Sequence, residues 1–336
     1  MQFNYNQAFE DQLLNLITQE VPNTLNESLE ALAKAIKMSK LKGTLYPFGS
    51  FCNGFGSETK DLDCVFLTPC DDKPSSLFRQ ILNGIRAYNQ ENLQPILQVK
   101  ANINQAKVPI LKMVDITNNV DIDLSVNNIN GIANSKLLYE YSQLHPKIKQ
   151  TGLLLKLWGK RNRLIKTGSL SSYSMILFLI HFLQIKYKVP YLSDFKLTSQ
   201  HLKNLEHLEN NPYFQIGLKV DLPELTQASL QQILFEFFLY YQPQGEFEQK
   251  NIYISINSQP LNKIQNNFIL KIQDPINFRQ DPSKRFENQC LQFQKAFEKA
   301  KNMIQKHDIS TFNNIDKAEE DKIKKHNKIV KQFKQN

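Results

Sequence analysis

The chain is poor in cysteine, with 4 in 336 residues. Cys52, Cys64, Cys70 and Cys290 show no metal-ligand spacing. That excludes a zinc site built on paired thiols and fits reduced thiols in the cytosol or nucleus. Long apolar runs are missing too. No stretch approaches the roughly 18 residues that a membrane-spanning helix needs. The most apolar segment, Met175 to Leu183, reads as a short buried helix. The first residues, Met1-Gln-Phe-Asn-Tyr-Asn6, lack the charged and apolar regions of a secretory signal. No membrane association is expected. The expected location is the cytoplasm or nucleus, the cytoplasm being preferred. No internal repeat is present. At this length the chain can bury a substantial core and hold two domains.

Positive charge is in excess, with a formal net charge of +9. Such a balance attracts a polyanion such as RNA through counterion release. The chain is also rich in Lys, Asn, Gln and Ile together, a bias that genome base composition can produce. Charge alone therefore decides little. More informative is the segment Pro47-Phe-Gly-Ser-Phe-Cys-Asn-Gly-Phe-Gly-Ser-Glu-Thr-Lys-Asp61-Leu-Asp63. A Gly49-Ser50 turn precedes two carboxylates one residue apart. On a strand, Asp61 and Asp63 share a face. Paired carboxylates repel unless a cation sits between them, and the arrangement suits Mg²⁺. The turn would bring backbone N–H groups to phosphates. A second alternating run, Val120-Asp-Ile-Asp-Leu-Ser-Val126, places Asp121 and Asp123 on one face. A third acid there can bind a second metal or accept the proton of an attacking hydroxyl. Each run alone also reads as a solvated strand face; together they form a pattern.

Periodicity lays out the rest. Residues 5–19 and a segment opened by Asn23 or Thr24 and ended by Gly43 read as amphipathic helices. Short β-like runs follow at Leu45–Phe48, Leu62–Leu67, Val108–Met113 and Val120–Val126, with a helix over Leu77–Tyr88. A small sheet backed by helices is expected there. From residue 135 helices dominate, most clearly Lys147–Arg161 and Tyr173–Ile185. Asn251–Ile256 alternates like a strand. On the first of these helices Lys156 and Lys160 share a face and can grip a triphosphate. Lys147, Lys149, Arg161 and Arg163 are left to RNA or solvent. Ser171 or Ser172 can cap the next helix, and Tyr173 offers a ring on which a base can stack. The lysine-rich segment from 311 to 336 reads as a disordered end, a basic arm for RNA or a docking helix.

The order Gly49-Ser50, Asp61-x-Asp63 and a later Asp123 resembles the polymerase-β-like nucleotidyltransferases. Further motifs narrow the likeness: Asp123-Leu-Ser-Val-Asn-Asn128, Ala133-Asn-Ser135, Leu155-Lys-Leu-Trp-Gly-Lys-Arg161, Gly168-Ser-Leu-Ser-Ser-Tyr173, Leu234–Tyr241 and Ile272-Gln-Asp-Pro275. Over residues 40–300 the chain is similar to the noncanonical poly(A) polymerases and terminal uridylyltransferases. The resemblance implies an α+β fold. A catalytic sheet domain would span 42–128. A helical domain with the poly(A)-polymerase-associated region would combine 1–41 with 129–310, the active site lying in the cleft between them. A basic tail would follow over 311–336. It implies Mg²⁺ or Mn²⁺ on Asp61, Asp63 and Asp123, with Asp123 as base. Ser50, Asn53, Ser135, Lys156, Lys160 and Ser172 would lie near phosphates, Asn128 and Asn134 near the ribose, and Tyr173 on the base. Asp274, Asn277 and Gln280 match the base-edge loop. Uridylyl-adding members commonly carry an acid and a histidine where Asn277 and Gln280 stand. UMP addition is preferred because Gln280 stays polar; AMP addition remains open. The expected substrates are UTP or ATP and an RNA 3′ end, with a protein partner delivering the RNA and weak, distributive activity without it. Two alternatives remain: an inactive RNA-binding or scaffold subunit, and a 2′–5′ oligonucleotide or second-messenger synthase.

Overall fold

The computed structural model describes residues 4–17, 23–56, 60–166, 169–192, 220–250, 254–256, 271–277, 281–282 and 290–313. They fall into two compact units. One takes the described residues of 23–140; the other takes those before 18 and from 141 onward.

The sheet unit has five strands: β1 (Thr44–Phe48), β2 (Asp61–Leu67), β3 (Leu97–Ile103), β4 (Ile110–Asp115) and β5 (Val120–Val126), in the order β1-β2-β5-β4-β3. β2 and β5 run parallel, and the other neighbours are antiparallel. Alternation sends Leu62, Cys64 and Phe66 of β2 and Ile122 and Leu124 of β5 to one face. There they pack with Leu25, Leu32 and Ile36 of α2 (Thr24–Met38) and Phe78, Ile81 and Ile85 of α3 (Pro74–Glu91). Ser28 of α2 donates to the buried carboxylate of Asp115 at 2.8 Å, tying the helix to the end of β4. On the other face Val65 and Leu67 meet Ile129 and Ile132 from the start of α4 (Ile129–Leu144).

The helical unit holds α1 (Gln7–Asn15), the end of α4, α5 (Pro146–Arg161), α6 (Ser172–Tyr187), α7 (Pro223–Gln227), α8 (Leu230–Tyr241), α9 (Glu246–Lys250), α10 (Cys290–Gln305) and α11 (Ser310–Asn313). Its core is aromatic. The single tryptophan, Trp158, stacks on Phe297 at 5.4 Å and tilts against Phe238 at 4.7 Å. Buried polar groups are placed at helix ends. Glu10 accepts from the N–H groups of Leu230 and Gln231 at 2.7 and 3.0 Å, where a negative charge suits the start of α8. Lys147 donates to the carbonyls of Leu225, Thr226 and Ala228, so it closes the end of α7 rather than facing RNA or solvent. No helix among the described residues is long and apolar enough to cross a membrane.

The expected strands and long helices are present, with three differences. β3 had no counterpart in the sequence reading. α2 packs on the sheet, and only α1 of the N-terminal helices joins the helical unit. Thr311 and Phe312, expected to open the tail, are buried in α11, and Asn162 of the α5 end donates to Thr311 O at 2.9 Å. Residues 314–336 of the basic tail lie outside the described residues, as does most of the Asn251–Ile256 run; its Ile254 bridges Ile272.

Candidate active site

Two parallel strands set the geometry. Their register pairs Asp61 with Asp121 and Asp63 with Asp123. Register partners share a face, and alternation keeps positions i and i+2 on it. All four carboxylates therefore stand on one face, opposite the core of Leu62, Cys64, Ile122 and Leu124. Asp61 opens β2 and is exposed; Asp63 and Asp123 are half-buried direct neighbours. The crowding marks Asp63. Burial first, then repulsion from Asp123 and Asp61, pushes its carboxyl up to about 6 against the pull of Lys112. A divalent cation would resolve that conflict, and an all-oxygen donor set suits Mg²⁺ or Mn²⁺. Among the described residues no group of three or more His, Cys, Asp or Glu side chains is placed to hold a metal ion, so Asp61, Asp63 and Asp123 are not drawn together as a ligand set. The pair that the register sets side by side is Asp63 with Asp123.

β1 delivers the Gly-Ser turn to this place. Phe48 pairs with Asp63, and the chain then turns through a 3-10 segment, Gly49–Phe51. Gly49 has φ +68, and a Cβ there would lie 2.2 Å from Asp63 Oδ2. Glycine is what lets the backbone lie against the carboxylate. The Gly49 N–H donates to Ser135 Oγ at 2.7 Å, and that hydroxyl donates to Gly131 O at 2.8 Å, one turn back in α4. Ser135 is buried. Its hydroxyl fastens the turn to α4, an occupation the spacing did not reveal. Ser50 sits half-buried in the turn. Asn53 closes the loop, its N–H reaching Gly49 O at 3.0 Å and its Oδ1 accepting from Phe55 N at 2.9 Å. Asn128 immediately precedes α4, and Asn134 lies within it. The Asn134 side-chain oxygen is buried with no partner among the described residues. A buried acceptor in that state is costly, and a ligand hydroxyl would satisfy it.

The helical unit carries the remaining residues. Lys156 and Lys160 stand one turn apart on α5. Lys156 is only 3% exposed, whereas Lys160 is half-buried. Burial, then the charge of Lys160, holds the Lys156 ammonium down to about 7. Ser171 caps α6, its Oγ accepting from Ser174 N at 3.0 Å. Ser172 and Tyr173 follow as the first helical residues, both half-buried. The Tyr173 hydroxyl donates to Asp274 Oδ2 at 3.3 Å. Asp274 is buried, and its Oδ1 accepts from Ile276 N at 3.0 Å and Asn277 N at 2.8 Å. One carboxylate thus shapes the 274–277 turn and steadies the tyrosine. Burial, then the charge of Asp274, raises the Tyr173 hydroxyl well above its ordinary value. Gln280 lies outside the described residues.

The model of the central palm domain of mitochondrial-like poly(A) RNA polymerases matches residues 5–143. The Cid1 poly(U) polymerase solved with MgGTP bound superposes with a TM-score of 0.72 at 20% identity, covering 89% of this chain and 95% of that one. Residues 5–143 thus resemble that palm domain, and the chain shares the fold of the solved polymerase. GLD-2 in its complex with RNP-8 gives a TM-score of 0.69 at 24% identity, with 93% and 99% of the chains covered. The Poly(A) RNA polymerase GLD2 of Homo sapiens is 32% identical over 160 residues, 46% of this chain and 33% of that protein. The chain thus spans about a third of the length of that curated relative.

Proposed function

We propose that this protein is a nucleotidyltransferase that adds UMP or AMP from UTP or ATP to an RNA 3′-hydroxyl without a template, releasing pyrophosphate. The observation that carries the proposal is the side-by-side register of Asp63 and Asp123, with the Gly49 turn lying against Asp63. A divalent cation held by Asp61, Asp63 and Asp123 would supply charge neutralisation at the triphosphate and the reacting phosphorus. Asp123 accepts the proton of the attacking hydroxyl. Lys156 and Lys160 hold phosphate charge, and Tyr173 takes the base on its ring. The Gly49 N–H already serves Ser135, and Ser50 lies beside it in the same turn. Asn134 offers its unpaired oxygen to a ribose hydroxyl. GLD-2 has been solved with RNP-8 and with GLD-3. We extend that habit to this chain as a protein partner that delivers RNA.

The deciding experiment incubates the protein with a short labelled RNA, Mg²⁺ and each of the four NTPs in turn. Extension with UTP or ATP is expected, and Asp63→Ala should lower it by at least about a thousandfold. Substantial residual turnover in Asp61→Ala or Asp63→Ala would sink the assignment. No extension with any NTP would favour an RNA-binding subunit.

A further inference from the structure

The face that carries the acids also carries two lysines, one from β4 and one from β3, neither with a part in the chemistry above. β4 flanks β5 on the side away from β2, and its register sets Lys112 directly opposite Asp123. The Lys112 ammonium meets Asp123 Oδ2 at 2.5 Å. From β3, Lys100 reaches Asp121 Oδ1 at 2.7 Å. Each β5 carboxylate therefore has a lysine on one flank and a β2 carboxylate on the other. The Lys112 pair is partly exposed, with side chains 43% and 33% accessible. An ion pair so placed adds little to stability. Its geometry is nevertheless well defined, because β4 is an interior strand paired on both sides.

Like charges on neighbouring strands push apart, so Asp123 left alone would turn away from Asp63. We propose that Lys112 is a positioning residue for nucleotidyl transfer: it pins one oxygen of Asp123 and leaves the other for the Asp63 side, where cation and hydroxyl are handled. This inference rests on the function proposed above. It makes Lys112 act through Asp123 rather than on the substrate.

The test compares Lys112→Met and Lys112→Arg with a charge control, Lys107→Met, an exposed lysine ahead of β4. Two readouts are taken: Mn²⁺ titration of the nucleotide-free protein by electron paramagnetic resonance, and kcat and KM for primer extension. Removing a cation beside the acids should tighten Mn²⁺ binding by roughly 3–10-fold in Lys112→Met. The misplaced carboxylate should lower its kcat by about 10–100-fold, with the NTP KM within about 3-fold. Lys112→Arg should restore most of kcat, and Lys107→Met should match the unmodified protein in both readouts. Tighter metal with slower turnover is a combination that a merely structural lysine does not give. An unchanged kcat in Lys112→Met would overturn the proposal. So would weaker Mn²⁺ binding together with a lower melting temperature. If the unmodified protein extends no RNA, the functional reading fails by itself. In that case an unchanged Mn²⁺ affinity in Lys112→Met overturns the positioning role as well.

Discussion

Lys156 lies in the buried stripe of α5, and burial with Lys160 beside it holds its ammonium down to about 7. A bound triphosphate favours the charged form, so the value rises in the complex. Between the free value and the higher bound one, binding takes up a proton. Affinity for NTP is then full below pH 7 and weakens above it, by up to about tenfold per pH unit. Calorimetry at pH 8 in two buffers of different ionisation enthalpy should show uptake approaching one proton, and Lys156→Met should abolish it. Zero uptake in the unmodified protein would separate Lys156 from the phosphates. At Gly49 a methyl group costs about 1–2 kcal/mol for the left-handed backbone and collides with Asp63 Oδ2. Gly49→Ala should lose activity as severely as Asp63→Ala with every acid intact. Near-normal extension would show that the turn does not need to lie against Asp63. Spacing set the acids on one face and the two lysines one turn apart, because alternation and helical pitch dictate as much. It could not reveal that Lys156 is buried or that Ser135 is already engaged. Depth and partners come from the packing of segments far apart in the chain.

At the scale of elements, α4 is the strut of the Gly49 turn. Its first turns hold Gly49 through Ser135 and lie against Phe48 through Gly131, where a Cβ would come within 2.9 Å of the ring. Ser135→Ala would leave the Gly49 N–H without its acceptor, at about 1–3 kcal/mol. Amide exchange at Gly49 should quicken by roughly tenfold or more, with weaker NTP use and an intact sheet. Unchanged exchange would remove the strut from the account. β3 was overlooked although Leu97, Val99, Ala101 and Ile103 alternate. Its register shifts between Val99 and Ala101, and it is an edge strand in which only Leu97 is buried and Ile103 is exposed. The alternation therefore does not mark one buried face. α2 was read correctly as an amphipathic helix, yet an apolar stripe does not say which surface it will cover.

Across the whole molecule, the +9 net charge bears on RNA more than on NTP. If about three phosphates are contacted, a fourfold rise in salt should weaken single-stranded RNA binding by roughly twentyfold. A flat salt response in a filter-binding titration would mean that the lysines do not engage the backbone. The organisation into a sheet unit and a helical unit was legible from where alternation gives way to helical pitch. The exact partition was not, because the N-terminal helices are divided between the units. The strand order carries one more consequence. β5 comes last of the five in the chain but sits between β2 and β4. Until it inserts, β1–β2 and β3–β4 are separate hairpins with open edges, and Asp63 has no companion from β5. A nascent chain halted before Val120 would thus be sticky and without its paired acids, and a single late, long-range docking event would at once seal the sheet and bring Asp123 beside Asp63.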